Sequence, residues 1–177
     1  MTVFANLGAD SSIGDILFSD PDRYAPILAF AQDAMRSDGV LPHKTRELLA
    51  AYVSSLNECA FCHGLHADVA KRFGIDPSIL ANLLFSDDLA SIEDELKPIF
   101  TLARKLTVSP SKVVEADRQA VLAAGHSEDV LKDVIAIVCL FSFFNRLVDG
   151  HGIKGNAEIF SRDSEMLAAF GYVPPAQ

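Results

Sequence analysis

The sequence predicts an all-α protein. Three observations carry that expectation. Apolar residues recur at helical spacings of three and four along most of the chain, and no segment sustains the period-two alternation of a half-buried strand. Glycine and proline, for the most part, fall between the periodic stretches.

The helices follow in order. Residues 22–36 place Tyr24, Ile27, Leu28, Ala31 and Met35 on one stripe. Gly39 and Pro42 interrupt it, and 44–56 resumes with Leu48, Leu49, Tyr52, Val53 and Leu56. Asn57 suits the N-cap of a helix over 58–73, with Gly74 as its stop. Asp76 and Pro77 open a short helix through Leu84, since proline fits a first helical turn. Residues 93–106, 111–123 and 128–148 are further helices, separated by Ser109-Pro110 and by Gly125, and a last one covers 157–170. The stretch from Pro26 (PILAFAQDAMRSD) echoes that from Pro98 (PIFTLARKLTVSP), through an old duplication of a helical unit or merely through similar amphipathic composition.

The 177 residues, half of them apolar, suffice for one domain with its own core. A net charge of −9 argues against nucleic-acid binding and against docking on anionic lipid. An acidic yet apolar chain, with mean hydropathy of +0.23, suggests a homo-oligomer that hides apolar surface. The N-terminal stretch lacks the basic and apolar regions of a secretory signal; its first basic residue is Arg23. The most apolar run, 134–144, is 11 residues long, where a membrane helix needs about 20. Three cysteines make no secreted disulfide framework, so a reducing cytoplasm is the expected compartment.

The chemistry concentrates in Glu58-Cys-Ala-Phe-Cys-His-Gly-Leu-His66. On a helix, Cys59, Cys62, His63 and His66 share an arc of about 100°, continued by the apolar Val69, Ala70 and Phe73. Gly64, Asp68, Lys71 and Arg72 fall on the opposite, solvent side. Thiols at a helix start gain from the positive end of the dipole, which lowers a cysteine pKa. A redox dithiol suits the C-x-x-C spacing, with His66 one turn beyond Cys62 as a base. Cys59-Ala-Phe-Cys62-His63 also spells the c-type haem attachment string, and the four side chains could be offered to zinc. Haem attachment usually needs export, and one helical face cannot easily surround a tetrahedral ion. The bland alternative is that small residues and histidines fill a core face. Cys139, inside the apolar run, is expected to be an inert core thiol.

C-x-x-C-x-x-x-H, with Glu47 12 positions before the first cysteine, resembles the alkyl hydroperoxidase D (AhpD) core of the AhpD-like carboxymuconolactone decarboxylase superfamily. RELLAAYVSSLNECAFCHGLHADVAKRFG resembles its peroxidase-related branch, and NRLVDGHG its closing helix. The similarity spans about 24–152, leaving 153–177 as a C-terminal helix and tail of the same domain. It implies an all-helical bundle, assembled as a trimer or hexamer, that reduces alkyl hydroperoxides without cofactor or metal. Cys62 matches the attacking thiol, Cys59 the resolving thiol, His66 the base and Glu47 the carboxylate behind it. The face of Glu47 also carries His43, Ala50, Ala51 and Ser54, small or polar residues that let another helix approach. Phe61 departs from the pattern, which has a histidine between the cysteines. His63 and Arg146 receive no role.

The implied partners are a hydroperoxide and a dithiol reductant, protein or lipoyl. Two other functions fit the dithiol: thiol–disulfide exchange on a lipoyl or protein carrier, and a non-enzymatic redox sensor. The superfamily's decarboxylase chemistry needs no cysteine pair.

Overall fold

Helix α3 (His43–Leu56) is shielded at every residue from Thr45 to Ser54, and the rest of the fold is arranged around it. It is flanked by α2 (Pro21–Arg36), α4 (Ala60–Arg72), α5 (Pro77–Phe85), α6 (Lys97–Val108) and α8 (Glu128–His151). Outside these lie α1 (Ile13–Leu17), α7 (Glu115–Ala123) and α9 (Ala157–Phe170), with α9 packed on α4. This computed structural model describes residues 4–85 and 89–173, and no strand occurs among them. The expected all-α class is therefore found. The outermost residues read above, at the N-terminal stretch and at the end of 153–177, lie outside the described residues.

A helix buried on all sides must satisfy its polar groups internally. Arg46, 1% exposed, donates from Nε to the Leu41 carbonyl at 2.8 Å and from Nη1 to the Ala34 carbonyl at 3.1 Å. It thereby ties α3 to the end of α2. Gly39 has no side chain because a Cβ there would stand 2.1 Å from Arg46 Nη2. Ala50, Ala51 and Ser54 are fully buried small residues, and they suit the extensive packing of α3 against α4.

Several expected boundaries shift. Helix α4 starts at Ala60 with Cys59 as its N-cap, and Asn57 instead caps the C-terminus of α3. Gly64 is half-buried rather than open to water. It is a close-approach point, where a Cβ would lie 2.5 Å from the Phe160 ring of α9. Helix α6 begins four residues later than the apolar pattern suggests, and Pro110–Lys112 forms a separate 3-10 turn before α7. Pro26 sits inside α2 whereas Pro98 opens α6, so the two echoing segments place their prolines differently. Cys139 is exposed rather than in the core, on the outer face of α8 with Ile135 and Phe143 one turn to either side.

Between α3 and α4 the chain turns in three residues. Cys59 N–H donates to the Ser54 carbonyl at 2.9 Å, and Glu58 N–H to that of Ser55 at 2.9 Å. The turn holds Glu58 at φ 60, the only positive φ outside glycine among the described residues. A left-handed non-glycine residue costs about 1–2 kcal/mol. Glu58→Gly is expected to relieve about 1 kcal/mol and raise the melting temperature by about 2–4 °C. Thermal unfolding followed by circular dichroism checks this, and a lower melting temperature would show that the Glu58 side chain holds the turn.

Candidate active site

The turn at Glu58 delivers Cys59 as the N-cap of α4 and Cys62 three residues later, in its first turn. Both thiols are free and buried. The Cys62 S–H donates to the Cys59 sulfur, and this hydrogen bond is the main reason the Cys59 thiol lies below the ordinary range. Burial and the charge of Asp149 work against it. The Cys62 backbone N–H adds a favourable pull, though not a formed cap hydrogen bond. The same S–H bond, burial and the charge of Cys59 push Cys62 well above an ordinary thiol. The S–H bond between the two thiols therefore favours a thiolate on Cys59 and not on Cys62.

Glu47 and His66 meet across the α3–α4 contact. His66 Nδ1 lies 2.7 Å from Glu47 Oε2, and both residues are buried. Glu47 is fully shielded, so it is no surface carboxylate. Burial alone would raise its pKa, yet the charge and hydrogen bond of His66, together with Arg36, outweigh that and hold it below the usual value. Arg36 Nη1 stands 2.6 Å from Glu47 Oε1. The guanidinium also donates to the Met35 carbonyl at 2.9 Å and the Leu167 carbonyl at 3.1 Å. It lies over the rings of Phe73 and Tyr172, at 5.2 and 5.3 Å.

Cys62 and His66 line a cavity of about 280 Å³ whose other walls are largely apolar, including Leu28, Phe61, Leu65, Phe144 and Tyr172. With Nδ1 committed to Glu47, Nε2 is the imidazole nitrogen left for the cavity. The His66 ring is wedged edge-on against Phe141, 4.6 Å between centroids, and runs parallel to Tyr172 at 6.3 Å. Phe61, in the place of a relay histidine, packs on Phe160 at 5.7 Å and so builds the wall. Asn145 donates from Nδ2 to Ser54 Oγ at 2.9 Å, accepts from Asn57 at 2.9 Å, and hydrogen-bonds Cys62.

All four sequence-derived residues thus converge. His63 does not join them: it is half-buried, with Nδ1 3.4 Å from the Ala51 carbonyl, and burial lowers its pKa. Arg146 is exposed and donates to the Ser142 carbonyl at 2.7 Å. Among the described residues no three His, Cys, Asp or Glu side chains are grouped to hold a metal ion. No described helix is long and apolar enough to cross a membrane. Sequence reasoning missed Arg36 and Tyr172. Arg36 meets Glu47 only because α2 packs beside α3, and Tyr172 is placed by Gln32, 140 residues away in sequence; no local pattern announces either.

An all-helical bundle with a buried C-x-x-C beside a Glu–His pair defines a class. The model of the carboxymuconolactone decarboxylase family matches residues 21–91, and the fold resembles that of the AhpD-like proteins of that superfamily. A crystal structure described as an alkylhydroperoxidase AhpD core, an uncharacterized peroxidase-related protein from Ralstonia eutropha JMP134, superposes with a TM-score of 0.77 at 25% identity. The match covers 90% of this chain and 80% of that one. The debrominase Bmp8 shares the fold at 15% identity and a TM-score of 0.68, over 84% of this chain and 78% of its own. The uncharacterized protein YdfG of Bacillus subtilis (strain 168) is 27% identical over 103 residues, 58% of this chain and 70% of that protein.

A carboxylate whose pKa is lower folded than unfolded stabilises the fold fully above its unfolded pKa, about 4.3, and that contribution is lost as pH falls through its lower folded value. Glu47→Gln is expected to cost about 3–5 kcal/mol at pH 7, because Arg36 then keeps a buried charge without its partner. The variant should also lose stability less steeply than the wild type below pH of about 4. Urea unfolding of both proteins between pH 7 and 3 measures this. Parallel acid profiles would remove Glu47 as the acid-sensitive group.

Proposed function

We propose that the protein is a thiol-dependent peroxidase that reduces alkyl hydroperoxides through a Cys62–Cys59 dithiol/disulfide cycle. One observation carries the reading: Cys62 and His66 face the same apolar cavity, and the far nitrogen of His66 is fixed by buried Glu47. Cys59 does not line that cavity, so Cys62 is the thiol a bound peroxide meets.

Because its pKa is raised, Cys62 attacks by base assistance and not as a standing thiolate. His66 takes its proton as the sulfur attacks the terminal peroxide oxygen, and Glu47 orients and stabilises the resulting imidazolium. The O–O bond breaks, alcohol leaves and Cys62 becomes a sulfenic acid. Cys59, already in S–H contact and the more acidic thiol, attacks that sulfenic sulfur, expelling water and closing the disulfide. A dithiol reductant, protein or lipoyl, returns both thiols. The mainly apolar cavity suits an organic hydroperoxide better than hydrogen peroxide.

A second reading, thiol–disulfide exchange on a dithiol carrier, draws on another feature. Asp149 acts on Cys59, and together with Asn57, Asn145 and Arg146 it lines a polar cleft. Such a carrier enzyme would exchange with a lipoyl disulfide and leave peroxide untouched. Assembly into a homo-oligomer belongs to the same proposal. Phe30 of α2 and Ile135 and Phe143 of α8 are exposed apolar side chains that a second copy would cover.

The exposed Cys139 would confuse a thiol count, so the test uses a Cys139→Ser background. Reduced protein given one equivalent of cumene hydroperoxide should lose two thiols per chain. Adding Cys62→Ser should abolish peroxide consumption. Adding Cys59→Ser should leave one slow turnover and a sulfenic acid that dimedone traps. Peroxide consumption at the normal rate without Cys62 would overturn the mechanism.

A further inference from the structure

The Tyr172 hydroxyl is buried and meets no hydrogen-bond partner among the described residues. A buried hydroxyl left unpaired costs about 1–3 kcal/mol, so a structure that retains one calls for an explanation. Tyr172 lines the cavity that holds Cys62 and His66, and its ring lies parallel to that of His66. It is close enough to Glu47, Arg36 and Cys62 for their charges to act on it.

The chain invests in this placement. Gly171 ends α9 at φ 75 and ψ −149, a conformation essentially reserved for glycine. A Cβ there would come 2.4 Å from Gln32 Oε1. That same oxygen accepts the Tyr172 N–H at 2.7 Å, which pins the backbone, while Arg36 covers the ring. Gln32 and Arg36 both belong to α2, so a helix that supplies the Glu47 partner also seats the tyrosine.

We propose that Tyr172 is a catalytic proton donor, giving its hydroxyl hydrogen to the oxygen that leaves when Cys62 attacks an alkyl hydroperoxide. The inference rests on the peroxidase reading. The Cys62 sulfur forms a bond to the terminal oxygen and is oxidised, the O–O bond breaks, and the inner oxygen departs with the electron pair. An alkoxide is a far stronger base than a phenolate, so it takes the Tyr172 proton and leaves as alcohol. The proton that His66 removed from Cys62 then restores the phenol, and the sum is thiol plus hydroperoxide giving sulfenic acid plus alcohol. Burial, reinforced by the negative charge of Glu47, keeps the phenol protonated until that moment. His66 and Tyr172 thereby divide the work, one accepting a proton from the nucleophile and the other supplying one to the leaving group.

The experiment compares wild type and Tyr172→Phe in single-turnover reactions of the reduced protein with two oxidants, cumene hydroperoxide and peroxybenzoic acid. The carboxylate leaving from the peracid needs no proton. Loss of the hydroxyl should slow cumene hydroperoxide about 100-fold at saturation and change the peracid rate by less than about threefold. The melting temperature should stay the same or rise, because the ring remains and an unpaired hydroxyl is removed. Equal slowing of both oxidants, no slowing of either, or a clear fall in melting temperature would overturn the role. Wild-type protein that consumes neither oxidant would instead overturn the peroxidase reading itself.

Discussion

The contact between α3 and α4 is organised by one buried carboxylate. Glu47 has no access to water, and its two oxygens face a guanidinium from α2 and an imidazole from α4. Neither α3 nor α4 could bring such a group into the core alone, because an unpaired charge there costs several kcal/mol. The three helices are therefore fixed relative to each other by charge matching as well as by packing. Small residues on α3 permit the close approach, and Glu47 sets its register. A slide of α4 by one turn would strand Glu47 and leave His66, which travels with Cys62 on α4, without its carboxylate.

From this constraint the division of labour between the cysteines follows. Cys59 sits where a helix N-cap sits, on a turn that needs a left-handed residue, and it receives the S–H of Cys62. Cys62 faces the cavity and pays in acidity for its burial. The more acidic thiol is thus the one away from the apolar cavity. A thiolate standing in an apolar cavity would be expensive and open to over-oxidation; in the proposed cycle the protonated Cys62 thiol ionises only when an electrophile is present.

Much of this was legible in the sequence, for a physical reason. Helical periodicity is a local property, so the helices from 22 to 56 and from 157 to 170 fall close to where the apolar spacing puts them. The grouping of Cys62 and His66 depends on the i, i+4 spacing of one helix, and Glu47 on the helix before it. Cys59 was misplaced by one structural step, since an N-cap and a first-turn residue differ only in backbone angles that no composition encodes. Gly64 read as solvent-facing because helix geometry shows which side a residue is on, not which helix covers it; Phe160 covers it. Cys139 read as core because a continuous apolar run hides its one exposed face. Arg36 and Tyr172 stayed invisible because each acts through the packing of separate helices, Arg36 from α2 onto α3 and Tyr172 across 140 residues to Gln32.

That last point separates two parts of the molecule. The segment matched by the family model, 21–91, contains α2 to α5 and with them Arg36, Glu47, both site cysteines and His66. The cavity over these groups is closed largely by other segments: Ile13 and Leu17 of α1, Phe144 of α8, Met166 and Leu167 of α9, and Tyr172 beyond it. Chemistry and enclosure therefore come from different stretches of sequence, joined where Arg36 binds the Leu167 carbonyl and Gln32 binds the backbone at Tyr172. A change in α1 can reshape what the cavity admits without touching the ion triad that holds α2, α3 and α4 together, whereas the C-terminal segment contacts Arg36 and His66 directly. In the proposed cycle the triad supplies a base beside a buried thiol, and the shape of the cavity is set separately by the segments that close it.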